Sequence, residues 1–239
     1  MTTTCLERKL QHEAEKGKVC KYCLLKGTFG DSKTNNEYAV KEFVGSGYAG
    51  TVYRVQNTTT HSFFVAKFLA LETNDELPET SCVNTTFEAF EKEWQQAADL
   101  GSKGLAPRVI YVDRVVSFLD GLSVELGVIV SDQWDISLND YMNLFPTQFK
   151  ENEKDIDQQL ASLGEKYAEN NIYHADVHKR NIVLKLDPKT KKVVALTFID
   201  FNGFSFNSKL RQLKKRKPDA TAHDLINEMI SGAKEEPAV

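Results

Sequence analysis

The stretch that most restricts how this chain can fold is Ile172-Tyr173-His174-Ala175-Asp176-Val177-His178-Lys179-Arg180-Asn181-Ile182-Val183-Leu184. An aspartate and an asparagine stand five positions apart in a short polar loop, with a helical pattern before it and a β-branched run after it. The helical pattern is Ile156, Leu160, Leu163 and Tyr167, one face of a helix that delivers the loop. Polar side chains held between two regular elements have the architecture of a catalytic loop. The bland reading of the same residues is an Asp/Asn-rich turn leading into a strand, so the rest of the chain has to decide.

A chain of 239 residues, 41% hydrophobic and 27% charged, can bury a substantial core as one domain. No apolar run is long enough to span a bilayer, and Met1 to Lys9 lacks the apolar core of a secretory signal. The expectation is a cytoplasmic protein, or one that also enters the nucleus, with its four cysteines reduced. The net charge of −4 offers no general attraction to nucleic acid.

Residues 1–37 read as an N-terminal extension, helical along Leu6, Leu10, Ala14 and Val19. Within it Cys5, His12, Cys20 and Cys23 are four candidate zinc ligands, Cys20 and Cys23 having the two-residue gap of a zinc knuckle. A single such pair is more often two incidental thiols. From Tyr38 the texture turns to β-type runs at 38–44, 51–55 and 63–69, three antiparallel strands. The first turn is Gly45-Ser46-Gly47-Tyr48-Ala49-Gly50, followed by Thr51 and Val52, so G-x-G-x-x-G-x-V is matched throughout. Glycines there let a backbone approach a polyphosphate and aim free amides at its oxygens. The turn joins two strands rather than opening a helix, which argues against a dinucleotide-binding turn.

Lys67 follows Val65 and Ala66 on the third strand, where a lysine among apolar neighbours needs an anionic partner. Residues 72–84 form a long loop. Phe87, Phe90, Trp94, Ala97 and Leu100 then predict an amphipathic helix capped at Thr85 or Thr86, from which Glu88, Glu91 and Glu93 compete to reach Lys67. Strands are expected at 106–112 and 124–130, and the chain leaves the sheet at Ser131-Asp132-Gln133-Trp134. Ser137 caps a short helix, and 148–155 reads as a Lys/Glu-rich linker. Strands at 182–186 and 193–199 flank a turn at 187–192, and the second runs into Asp200-Phe201-Asn202-Gly203. The tail carries Lys209, Arg211, Lys214, Lys215, Arg216 and Lys217, then a helical stretch from Ala222 to Ile230.

In order and element type these motifs resemble those of the protein-kinase-like superfamily over residues 38–206. The resemblance implies an α+β, two-lobed fold, with an antiparallel-sheet N-lobe at 38–130 and a minimal helical C-lobe at 131–239. It implies an ATP-dependent phosphotransferase with magnesium. Gly45, Ser46, Gly47 and Gly50 would cradle phosphates, and Lys67, held by Glu93, would bind them. Val52, Ala66, Val130 or Ile129, Ser131 and Gln133 would line the nucleotide, Asn181 and Asp200 would hold Mg2+, and Asp176 would accept the proton of the acceptor hydroxyl.

The departures matter as much. Only 39 residues follow Asp200, too few for the usual peptide-docking platform, and His178 stands where lysine is common. In size the chain is similar to RIO-type and KEOPS-complex kinases, and its loop to that of aminoglycoside phosphotransferases. A compact Ser/Thr protein kinase is the first expectation. A small-molecule or RNA-linked phosphotransferase or ATPase is the second, and a nucleotide-binding pseudokinase acting as scaffold or decoy the third. The loops at 72–84 and 146–155 and the basic segment 209–217 would engage a partner, either acidic or RNA-containing, with a solvated helix end as the bland reading of the segment.

Overall fold

A computed structural model describes residues 27–46, 50–71, 85–119, 122–201, 203–231 and 233. Cys5, His12, Cys20 and Cys23, Gly47, the segment 72–84 and Asn202 lie outside the described residues, as does the Ser46 side chain. The protein is α+β, with antiparallel sheets and five α-helices among the described residues. It divides into two compact units, Met1–Ala98 with Arg108–Gln133, and Asp99–Pro107 with Trp134–Val239.

The first unit is built on one antiparallel sheet in the order β1-β2-β3-β4-β6-β5. Its strands are β1 (Thr28–Asp31), β2 (Asn36–Ser46), β3 (Thr51–Asn57), β4 (Phe63–Ala70), β5 (Val109–Leu119) and β6 (Leu122–Asp132). Side chains of a strand alternate between faces, and β3 obeys this strictly: Thr51, Tyr53, Val55 and Asn57 are buried, while Val52, Arg54 and Gln56 turn the other way and are half-exposed. One face gathers Tyr38, Tyr53, Ala66, Phe68, Val128 and Val130, with Phe29 and Tyr111 packed against them. Tyr38 stacks on Phe29 at 5.6 Å between centroids, and Phe29 meets Phe68 edge-on at 5.3 Å. β1 also touches β5, the opposite edge of the sheet, so the sheet curls around this aromatic face.

Helix α1 (Phe87–Ser102) covers the other face. Thr86 caps it, its Oγ1 accepting from the Ala89 amide at 3.1 Å. Phe90 lies over Gly127 of β6, where an added Cβ would come within 2.6 Å of two ring carbons. The helix therefore sits where it does because β6 has no side chain at that point.

The helical reading of residues 1–37 needs correcting at its C-terminal end: 28–31 form a strand paired with Asn36–Ala39. Gly27 and Gly30 both adopt positive φ (94° and 95°), which a helix does not accommodate, and Phe29 gains more from the aromatic cluster than from a thin amphipathic stripe.

In the second unit β7 (Ile136–Ser137) leads into α2 (Leu138–Leu144), with the Asp140 amide donating to Ser137 Oγ at 3.0 Å. Helix α3 (Pro146–Glu169) follows directly. This corrects the expectation of a linker at 148–155 and of a loop at 146–155. Pro146 presets the first turn, Phe149 packs on the core, and buried Asn152 donates to the Gln148 carbonyl at 2.6 Å. Lys and Glu are good helix formers, so their abundance here marks a solvated helix face. After α3 come β8 (Ile172–His174), β9 (Ile182–Leu186), β10 (Val193–Phe198), β11 (Gly203–Ser205), α4 (Phe206–Arg216) and α5 (Ala222–Ser231). β10, β9 and β7 form one small sheet and β11 with β8 another. Gly164 lets α5 approach α3 closely, an added Cβ being only 2.7 Å from Ile226 Cγ2. No helix of the described residues is long and apolar enough to cross a membrane.

Replacing Gly127 with alanine would force the buried Phe90 ring off its seat. We expect a loss of about 1–3 kcal/mol, the usual cost of overpacking, measured by urea unfolding against the wild type.

Candidate functional site

In the first unit the ladder places Val52, Lys67 and Ile129 directly opposite one another, all on the sheet face that α1 covers. Lys67 Nζ lies 2.8 Å from Glu93 Oε1, with the two side chains only 22% and 25% exposed. Glu93 is three residues after Phe90, so the ring that seats the helix and the carboxylate that meets the lysine share one side of α1. Of the three glutamates that compete in the sequence, Glu93 has this register.

Two residues expected beside a nucleotide with Lys67 belong to the opposite face. Ala66 and Val130 are fully buried among the aromatic cluster, because each is one position out of phase with Lys67 and Ile129. Val65 and Ser131, also paired across β4 and β6, lie on the lysine's face instead. Val65 went unnoticed in the sequence, although a strict period of two counted back from Lys67 points to it. Gln133 follows the end of β6 and is half-buried. Gly45 has open space where a Cβ would stand, whereas a Cβ at Gly50 would collide with the Phe68 carbonyl. The absent side chain of Gly50 thus serves the approach of β3 to β4.

In the second unit the loop is held by His174, 1% exposed at the end of β8. Its Nδ1 accepts the Asp176 amide at 3.2 Å, and its Nε2 lies 3.0 Å from the Ile199 carbonyl. Those partners require a neutral imidazole with its proton on Nε2. Burial pushes its pKa below the ordinary value, an effect that the nearby Asp176 and Asp200 charges partly oppose. The ring thereby ties the Asp176 backbone to the residue that precedes Asp200.

Asn181, 6% exposed, donates from Nδ2 to both the backbone carbonyl and Oδ2 of Asp176, each at 3.1 Å. Its own carbonyl accepts the Ile199 amide at 2.9 Å. His178 Nδ1 accepts the Arg180 amide at 3.2 Å, and its Nε2 stands 3.7 Å from Asp176 Oδ2. Asp176 therefore has one carboxylate oxygen turned to the loop's own polar groups, while its side chain remains 52% exposed. Asp200 follows β10 in a left-handed conformation, φ 58°. Its placement next to Ile199 brings its charge within reach of the same imidazole. The pairing of β8 with β11 is not legible in the sequence, since three-residue strands carry no periodicity to read.

The Asn181 Nδ2 is engaged by Asp176, and the side chain's other polar atom, Oδ1, is a hard oxygen donor of the kind suited to magnesium. Among the described residues no group of three or more His, Cys, Asp or Glu could hold a metal ion. A metal here would need Asn181, Asp200 and further oxygens from a bound phosphate or water.

The Lys67–Glu93 pair is partly shielded, and a Lys67→Met/Glu93→Gln double-mutant cycle should give a stability coupling of about 1 kcal/mol, against none when Glu88→Gln replaces Glu93→Gln. Because the folded pKa of His174 is lowered, the unfolded chain binds its proton first as pH falls. Stability should therefore be full above pH 6.5, the ordinary histidine value, and decline as pH falls from there towards the lowered folded pKa. His174→Phe should abolish that part of the pH dependence in urea unfolding. No protein-family model matches this chain, and no curated protein matches it.

Proposed function

We propose that the chain is an ATP-dependent phosphotransferase of the protein-kinase-like kind, with a hydroxyl group of a protein as acceptor. The observation that carries this reading is the Lys67–Glu93 pair, because a lysine on a mostly covered sheet face, oriented by a helix carboxylate, is a fixed cation ready for phosphate. The loop around Asp176 supports it. His174 and Asn181 hold the Asp176 backbone and one carboxylate oxygen, and an exposed carboxylate so restrained can receive a proton at a defined place.

The roles divide by unit. In the first, Lys67 binds phosphate oxygens, and Val52, Val65 and Ser131 share its face as apolar and polar lining. In the second, Asn181 and Asp200 hold the metal, Asp176 takes the acceptor's proton, and His174 keeps the two loops in register. Magnesium, when bound, supplies neutralisation of charge on the phosphates. Phosphoryl transfer asks for positioning and charge, and little covalent work from the enzyme.

One feature favours a second reading, a small-molecule or RNA-linked acceptor. Only Phe201–Ser205 separate Asp200 from α4, so no long segment follows the metal aspartate to shape a peptide groove, and His178 flanks the proposed base.

Purified protein with γ-labelled ATP, magnesium, and either protein or small hydroxyl acceptors distinguishes these readings. Asp176→Ala should lower transfer by roughly 10²–10⁴-fold while leaving ATP binding intact. Asp200→Ala should remove the magnesium dependence of nucleotide binding. Nucleotide binding without transfer to any acceptor by the wild type would replace the enzyme reading with a nucleotide-binding scaffold.

A further inference from the structure

We propose that Phe204, Tyr173 and the cations of α4 form a binding site for single-stranded nucleic acid. The proposal stands on this surface alone and requires no phosphoryl transfer.

Residues 201–218 contain six cations and not one carboxylate, in a chain whose net charge is −4. Folding sorts them. Phe206 and Leu213 of α4 are buried and Leu210 packs beside them, which leaves Arg211, Lys214, Lys215 and Arg216 exposed to solvent. Lys217 is drawn to Asp224 at 3.4 Å, but no ion pair among the described residues involves the other four. The carbonyl end of the helix offsets part of the repulsion among the cations of its last turn, and an anion bound across them would offset more.

The second observation is aromatic. Phe204 and Tyr173 stand directly opposite each other in the β11–β8 pair. Phe204 in β11 remains 52% exposed, although Phe206, two residues on at the start of α4, is buried. Lys209 Nζ lies 4.4 Å from the Phe204 centroid and 5.6 Å from that of Tyr173. The ring thus stands beside a helix that turns cations to solvent on every side its buried stripe leaves free, with Lys209 already on the ring's face and Arg216 on the same side of the helix.

Single-stranded nucleic acid has the matching chemistry: phosphates for the cations, and a flat base for the ring. An acidic protein segment would satisfy the charges and leave Phe204 in water. A duplex would satisfy them too, but hides its bases in the stack. The eleven residues of α4 extend about 16 Å at 1.5 Å per residue, enough for several nucleotides beside the strand that leads to Asp176.

The test is fluorescence anisotropy of a labelled twelve-nucleotide oligouridine with the full chain, over a salt titration. Oligouridine should bind more tightly than a duplex of equal length or an oligoglutamate. Phe204→Ala should weaken binding by roughly 5- to 150-fold, the range for one stacked base, without changing the salt slope, and Phe204→Trp should preserve affinity. The triple replacement of Lys214, Lys215 and Arg216 by alanine should reduce the slope of log affinity against log salt by about 2, at roughly 0.7 per lost phosphate contact. Unchanged affinity in Phe204→Ala, with its circular dichroism intact, would overturn the site. So would preference for the duplex or the oligoglutamate, or absence of oligouridine binding.

Discussion

A single buried imidazole holds the second unit's loops in register. His174 can satisfy both of its nitrogens only as a neutral ring, with Nδ1 accepting from the Asp176 amide and Nε2 donating to the Ile199 carbonyl. Protonation would leave Nδ1 facing a donor with a donor, inside a site where burial already opposes charge. The Ile199 amide in turn donates to the Asn181 carbonyl, and the Asn181 side chain returns to Asp176. This closed circuit joins the end of β8, the turn before β9 and the end of β10. Asp176 is consequently carried on backbone that is bonded on both sides, and Asp200 follows a residue bonded through both its amide and its carbonyl, although both side chains reach solvent.

The first unit depends on a steric constraint instead. Gly127 leaves room where the Phe90 ring rests, and the helix seated there presents Glu93 one turn further along. The lysine is met because a strand of period two and a helix of period 3.6 come into phase at that contact. The same alternation decides which neighbours Lys67 has. Val52, Val65 and Ser131 share its face, and Ala66 and Val130 fill the aromatic interior.

The strands near 38–44, 51–55 and 63–69 are legible in the sequence because their β-branched and aromatic residues alternate, and the helix after Thr86 because its apolar residues recur every three or four positions. The edge strand at 28–31 is not legible. Its four residues alternate too briefly to signal, and it exists because β2 offers it hydrogen bonds and Phe68 offers Phe29 a partner. The opening turns of α3 were hidden for another reason: a solvated helix face and a linker have the same charged composition, and only Phe149 and Asn152, folded inward, tell them apart. The resemblance places Ala66 beside the nucleotide together with Lys67, yet adjacent residues in a strand point to opposite faces.

By itself the sequence determined the local chemistry: a five-position spacing of Asp176 and Asn181, a lysine in an apolar strand, glycines in a turn, and a run of cations without carboxylates. Those are properties of neighbours along the chain, where spacing and residue type suffice. Only the tertiary structure decided which of three glutamates meets Lys67, which tautomer His174 adopts, and that Phe204 comes to lie beside Tyr173 under Lys209. Each of these depends on a contact between residues far apart in the sequence: 26 positions for Lys67 and Glu93, 25 for His174 and Ile199, and 31 for Tyr173 and Phe204. Such contacts depend on packing and register, and no local preference of the residues involved encodes them.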